Sequence, residues 1–81
     1  MDSLPAEITS EMTREVRQLC AAWRRSADLL ARATMPGSYR AIAERTERER
    51  HAAYATAYRA MLVRRTVLRT GAPAEWAEAW A

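Results

Sequence analysis

The tetrapeptide Met35-Pro36-Gly37-Ser38 decides the fold of this chain, because it separates two long runs with helical periodicity. Proline lacks a backbone donor and pushes the residue before it out of helical conformation, while glycine gives the backbone freedom to turn. Ser38 is a suitable N-cap for a helix that follows. The tetrapeptide therefore predicts a tight reversal, over about 35–38, between two antiparallel helices.

The run before the turn predicts a first helix over about 4–34. Its apolar residues recur at steps of three or four, which keeps them on one helical face. They are Leu4, Ile8, Met12, Val16, Leu19, Trp23, Ala27 and Leu30. A break near Ser10 is the alternative, since a serine at that place can itself cap a helix start.

The run after the turn predicts a second helix over about 39–70, because it contains no glycine or proline. Gly71 is expected as its left-handed stop, with Pro73 just beyond. A short third helix is predicted over about 73–80. Trp76 and Trp80 would share one face of it, since they are four residues apart.

The apolar positions of the two long runs match when the chain is folded back at Pro36-Gly37. The predicted pairs are Leu19 with Tyr54, Val16 with Ala57, Met12 with Met61, Trp23 with Ala52 and Ala53, and Leu4 and Ile8 with Leu68. Agreement between the apolar pattern, the turn and the helix ends favours one register of the hairpin.

The size of the chain limits what such a hairpin can do alone. Its 81 residues build one domain at most. In a hairpin of two long helices, each helix packs against only one other helix. Small chains already bury little apolar surface, so such a hairpin leaves much of it exposed. We therefore predict an all-α fold whose hairpin pairs with a second copy as a four-helix bundle. The alternatives are that its own C-terminal helix covers the exposed apolar surface of the hairpin, or that another protein covers it.

Excess apolar residues concentrate in the second half of the second helix and in the C-terminal segment. The candidate partner-binding residues are Tyr54, Tyr58, Met61, Leu62, Trp76 and Trp80. Tryptophan is enriched among binding hot spots, although both C-terminal tryptophans can instead cover the protein's own core. These features predict a non-enzymatic helical protein–protein interaction module, such as a small regulator, adaptor or accessory subunit.

Sequence-independent nucleic-acid binding is the alternative function. The net charge is +3, and the basic residues apart from one histidine are all arginine. The candidate residues are Arg24, Arg25, Arg48, Arg50, Arg64 and Arg65. Acidic residues interleave with several of them, which favours a solvated mixed-charge surface over a continuous phosphate-binding one.

No catalytic set, cofactor, metal site or small-molecule substrate is predicted. His51 is the only histidine and has Glu47 four residues before it, whereas zinc sites use three or four protein ligands. Cys20 is the only cysteine, and it is more typical of a packed small apolar side chain than of a reactive thiol. No uncharged stretch approaches the roughly 20 residues that span a membrane. With no signal-peptide pattern visible, a cytoplasmic location is expected.

Overall fold

Two α-helices make up most of the protein. The computed structural model describes residues 4–71, in which α1 spans Arg14–Arg32 and α2 spans Gly37–Thr70. The two helices pack against each other along the hairpin, and the described range contains no strand. The predicted all-α fold and helical hairpin are therefore confirmed. The predicted helix over 73–80 lies outside the described residues.

The reversal lies where the Pro36-Gly37 pair predicts it. Ala33 ends α1 in an extended conformation, with φ −85° and ψ 137°. Pro36 is the N-cap of α2, and its carbonyl accepts the N–H of Arg40 at 2.9 Å. The fixed φ of proline suits this entry, so α2 begins at Gly37, two residues earlier than predicted. Ser38 consequently lies inside the helix and does not cap it.

The C-terminal end of α2 agrees with its predicted stop. Gly71 adopts the left-handed conformation, with φ 72°, and its N–H donates to the carbonyl of Val67 at 2.9 Å. This geometry satisfies one of the last carbonyls of the helix at little steric cost, because glycine has no Cβ.

The start of α1 differs from the prediction, and the helix over 4–34 is too long at its N-terminal end. Residues 4–13 are not helical, and α1 begins at Arg14 with Thr13 as its N-cap. The Thr13 side chain accepts the N–H of Val16 at 3.4 Å. The tyrosine hydroxyl of Tyr54 donates to the carbonyl of Pro5 at 2.6 Å, so the N-terminal segment folds back over the hairpin.

The core of the hairpin is small. Its buried apolar residues are Met12, Val16, Cys20, Tyr54 and Met61. Half-buried residues from both helices and from the N-terminal segment complete it: Leu4, Leu19, Trp23, Ala57, Tyr58 and Leu62. The core therefore lies between the first half of α1 and the second half of α2.

The register of the hairpin is confirmed within about one helical turn. The N–H of Thr13 lies 3.4 Å from the sulfur of Met61, and the rings of Trp23 and His51 are 5.0 Å apart. The pairing of Leu4 and Ile8 with Leu68 is wrong, because the N-terminal segment turns back before reaching it. Leu68 is 79% exposed.

The two helices differ in length, and this difference creates an overhang. α2 has 34 residues and α1 has 19. At 1.5 Å per residue α2 is about 51 Å long, which accounts for the longest dimension of the molecule, 52 Å. The last turns of α2 extend past the start of α1. We refer to this end of the hairpin as the open end, and to the end at Pro36-Gly37 as the closed end.

Candidate docking surface

The middle of the hairpin is held by a row of rings. Trp23 on α1 stacks on Tyr54 with the ring centroids 5.7 Å apart, and it meets His51 edge-on at a centroid distance of 5.0 Å. Tyr54 in turn meets Tyr58 edge-on at 6.0 Å. The indole N–H of Trp23 donates to a carboxylate oxygen of Glu47 at 2.8 Å. Edge-to-face and offset stacked pairs stabilise beyond their buried area, so this row fixes how the helices meet.

The structure corrects the predicted neighbours of Trp23. Ala52 and Ala53 are exposed, and the indole instead contacts Glu47, His51 and Tyr54. These three positions follow each other at four and three residues, so they share one face of α2, whereas the two alanines point elsewhere. The sequence pattern favoured a small neighbour for a bulky ring, but the ring packs against other rings.

Tyr54 is a core residue and not a docking residue. Its side chain is fully buried, and its hydroxyl reaches the carbonyl of Pro5. Burial raises the pKa of the Tyr54 phenol above its ordinary value, and the neighbouring Cys20 thiol raises it further. Met61 is 6% exposed. Both residues were predicted to bind a partner. The hairpin covers Tyr54 completely, so Tyr54 is removed from that set, whereas the small exposed part of Met61 contributes to the lining of a groove.

A groove opens at the open end, between the start of α1 and the overhang of α2. It has a volume of about 360 Å³. Residues from both helices and from the cap of α1 line it: Thr13, Glu15, Val16, Ala57, Ala60, Met61, Arg64, Arg65 and Leu68. We call this feature the open-end groove.

The open-end groove exists because the facing side chains of α2 are small and because α1 begins only at Arg14. Ala57 and Ala60 present only methyl groups to it, and α1 supplies no turn beyond Arg14 to fill the space. Buried Val16 and Met61 form its apolar floor. A concave apolar surface with a few polar groups at its border is typical of a binding site.

The border of the open-end groove is charged. Arg64 and Arg65 are exposed on the α2 side, and Glu15 is exposed on the α1 side. Arginine pairs with carboxylates in a planar, two-pronged geometry and remains charged at any physiological pH. With two arginines against one glutamate, the border favours an acidic ligand over a basic one.

The remaining predicted docking residues fall into two groups. Tyr58 and Leu62 are half-buried and pack against the core, so each keeps some exposed surface near the groove. Trp76 and Trp80 lie outside the described residues. Sequence reasoning missed Leu68, Ala57 and Ala60 as parts of a concave surface.

The closed end carries a second exposed apolar patch. Leu29 is 54% exposed, Tyr39 65% and Ile42 53%. They lie on the last turns of α1 and the first turns of α2, next to the reversal. Exposed single apolar residues are ordinary on protein surfaces, whereas several at one end of a small domain make up a candidate contact surface.

The six arginines of the alternative function lie in two regions. Arg24, Arg25 and Arg48 are exposed in the middle of the hairpin, and Arg50 donates to the hydroxyl of Ser26 at 2.6 Å. Arg64 and Arg65 belong to the open-end groove. The ion pair between Arg40 and Glu44, at 3.2 Å along α2, is distinct from all six. These arginines do not form one continuous stripe.

His51 and Glu47 both contact Trp23. His51 is half-buried against the indole, and a carboxylate oxygen of Glu47 accepts the indole N–H. Within residues 4–71, no three side chains of His, Cys, Asp or Glu come together as metal ligands. Neither of the two helices combines the length and apolar character that crossing a membrane requires, as far as the described range extends.

The open-end groove is a concave surface with an apolar floor and a charged border. Comparisons of the chain with protein-family models, curated proteins and solved structures find no match.

Proposed function

We propose that this protein is a non-enzymatic helical interaction module that docks a protein segment in the open-end groove. The observation that carries the proposal is the overhang of α2, where apolar Leu68 is 79% exposed beside an apolar floor. A regulator, adaptor or accessory subunit needs such a surface and no catalytic set. The buried cysteine, unpaired within residues 4–71, agrees with a reducing compartment, and we propose the cytoplasm as its location.

The chemistry of the groove indicates what kind of segment it receives. An amphipathic helix docks in a groove through anchors spaced by three or four residues. The apolar floor of Val16 and Met61 suits an aromatic or large aliphatic anchor, and burying one such side chain stabilises a complex by roughly 1.5–3 kcal/mol. Arg64 and Arg65 suit carboxylates beside that anchor. The proposed ligand is thus an acidic amphipathic helix with aromatic anchors.

A pair of labelled peptides tests the proposed docking. The first is a fluorescein-labelled helical peptide with two tryptophans four residues apart and glutamates beside them, and the second replaces each glutamate by arginine. Anisotropy with the full chain is expected to show about tenfold tighter binding of the acidic peptide. Leu68→Glu is expected to remove that binding, whereas Ala52→Glu, on an exposed part of α2 away from the groove, leaves it unchanged. Equal binding of both peptides, or of both variants, overturns the proposal.

The exposed patch at the closed end supports a second interaction, with another copy of the chain. Two hairpins packed side by side, with Leu29, Tyr39 and Ile42 inside the interface, would bury these residues and give the proposed dimeric four-helix bundle. Light scattering after gel filtration is expected to give twice the chain mass of 9.2 kDa. Ile42→Glu is expected to give the single mass, and Ala41→Glu, at the neighbouring exposed position, the double mass. A single mass for the unaltered chain contradicts dimerisation.

Nucleic-acid binding remains the alternative proposal, because Arg24, Arg25 and Arg48 are all exposed in one region. Binding through arginine–phosphate contacts falls steeply with salt concentration. A mobility shift with duplex DNA or RNA that weakens steadily with salt concentration, and that is lost in Arg24→Gln/Arg25→Gln, would favour it over peptide docking. Absence of a shift at low salt excludes it.

A further inference from the structure

The segment that follows α2 leaves the helix beside the open-end groove. Gly71 stops the helix in a left-handed conformation, and groove-lining Leu68 lies three residues before it. Residues 72–81 therefore continue from a point within one helical turn of the groove. This connection makes the segment the nearest source of a ligand.

The composition of residues 72–81 matches the groove. The segment contains two acidic residues, Glu75 and Glu78, and no basic one. Its two tryptophans, Trp76 and Trp80, are four residues apart, so they lie on one face if the segment is helical. These are the acidic and aromatic features that the apolar floor and the two arginines of the groove favour.

The length of the segment also fits. From Leu68 back to Ala57 the groove follows twelve residues of α2, whose eleven steps of 1.5 Å span about 16 Å. Ten residues span about 15 Å as a helix and up to about 33 Å when extended. A helical segment that turns back at Gly71 therefore covers more than half of the groove, and an extended one covers all of it.

We propose that residues 72–81 of the same chain occupy the open-end groove, with the tryptophans on its apolar floor and the glutamates facing Arg64 and Arg65. A segment attached next to its site has a high effective concentration, which favours it over a separate molecule. The inference rests on the proposed docking function. It adds that the protein regulates its own docking surface, because an external ligand must displace this segment.

Disulfide trapping in the full chain tests the occupation directly. Ala60→Cys places a thiol in the groove, and Ala77→Cys places one between the two tryptophans. Oxidised glutathione supplies the oxidant: it takes up the two electrons of the new disulfide and leaves as two glutathione thiols. The pair is expected to close about tenfold faster than Ala41→Cys/Ala77→Cys, whose first thiol lies exposed near the closed end. Cys20 is fully buried and does not compete.

The mass of the trapped product separates the possible occupants. A monomer with one internal disulfide supports occupation by the same chain. A covalent dimer shows that a second copy supplies the segment and overturns the inference as stated. Equal closure rates for the Ala60 and Ala41 pairs also overturn it.

A binding measurement distinguishes failure of this inference from failure of the proposed function. In Trp76→Ala/Trp80→Ala the segment loses its anchors, so the acidic peptide is expected to bind about tenfold more tightly than to the unaltered chain. Circular dichroism of the variant checks that the helices persist. Equal binding to both chains keeps the docking function and overturns occupation by residues 72–81. Binding to neither chain overturns the docking function itself.

Discussion

The middle of the hairpin and its open end are built from the same two helices, yet they differ in how the helices meet. In the middle, Trp23 fills the space against α2 with a stacked ring and an indole hydrogen bond. At the open end, Ala57 and Ala60 have small side chains and α1 begins only at Arg14, so a groove is left between the helices. Side-chain size and helix length therefore separate a stabilising contact from a binding surface in this hairpin.

The largest expected effect comes from removing the central ring of the middle region. Tyr54→Ala deletes the contacts with Trp23 and Tyr58 and the hydrogen bond to Pro5. A loss of about 3–5 kcal/mol in the free energy of unfolding is expected, which is most of the stability of a small domain. Urea unfolding followed by circular dichroism measures it.

Tyr39→Ala is the matched control for this prediction, because Tyr39 is 65% exposed at the closed end. Its effect is expected to stay within about 0.5 kcal/mol. Similar losses in the two variants would contradict the assignment of Tyr54 to the core.

Alkaline pH should weaken the same region without any substitution. The Tyr54 phenol has its pKa raised in the folded chain, above the ordinary value of 10.0, by burial first and then by Cys20. The unfolded chain therefore releases this proton at a lower pH than the folded chain. The contribution of the Tyr54 phenol to the free energy of unfolding is fully present below pH 10. Above pH 10 this contribution declines by up to about 1.4 kcal/mol per pH unit.

Urea midpoints measured from pH 8 to pH 11 test this dependence. Tyr54→Phe keeps the ring and lacks the ionisable group, so the decline above pH 10 is expected to be smaller in this variant. An identical decline in both proteins would show that other groups cause it.

A smaller effect is expected from the indole hydrogen bond. Trp23→Phe keeps an aromatic ring and removes the donor to Glu47, which should cost about 1–2 kcal/mol in the free energy of unfolding. Glu47→Gln retains an acceptor oxygen and should cost about half as much, because the bond loses its charge. The double variant, measured by urea unfolding, should lose less than both single changes added together. Full additivity would mean that the bond contributes nothing.

The smallest effect on stability is expected from filling the groove. Ala60→Leu fills part of the groove with its own apolar surface but competes with residues 72–81 for that space, so the free energy of unfolding should change by no more than about 1 kcal/mol. Ala52→Leu makes the same change at an exposed position with nearly the same helical propensity. Only the Ala60 variant should also weaken binding of the acidic peptide. Equal peptide binding by both variants would place the docking surface elsewhere.

Much of the fold was predictable because its signals are local. Pro36 and Gly37 mark the reversal, and Gly71 marks the end of α2, by backbone preferences that hold in any context. The start of α1 was predicted wrongly, although Thr13 followed by Glu15 is the pattern of a capped helix start. Apolar residues keep the helical spacing through residues 4–12, so the pattern favoured an earlier helix start than Arg14.

The candidate site was predictable only in part. The region was anticipated as the second half of α2, where Leu62 and Tyr58 keep exposed surface. Tyr54 was assigned to docking but is fully buried, because a sequence pattern identifies apolar residues without telling which of them the same chain covers. Met61 keeps a small exposed part, which contributes to the lining of the groove. The assignment of Trp76 and Trp80 to partner binding stays a prediction.

The sequence by itself determined the helices, their turn and their approximate register, because helical periodicity and the conformations of proline and glycine act over a few residues. Only the tertiary structure decided that the N-terminal segment returns to the hydroxyl of Tyr54 and that a groove is left between Val16 and Leu68. Both depend on which distant side chains fill a shared space, and no local preference specifies that.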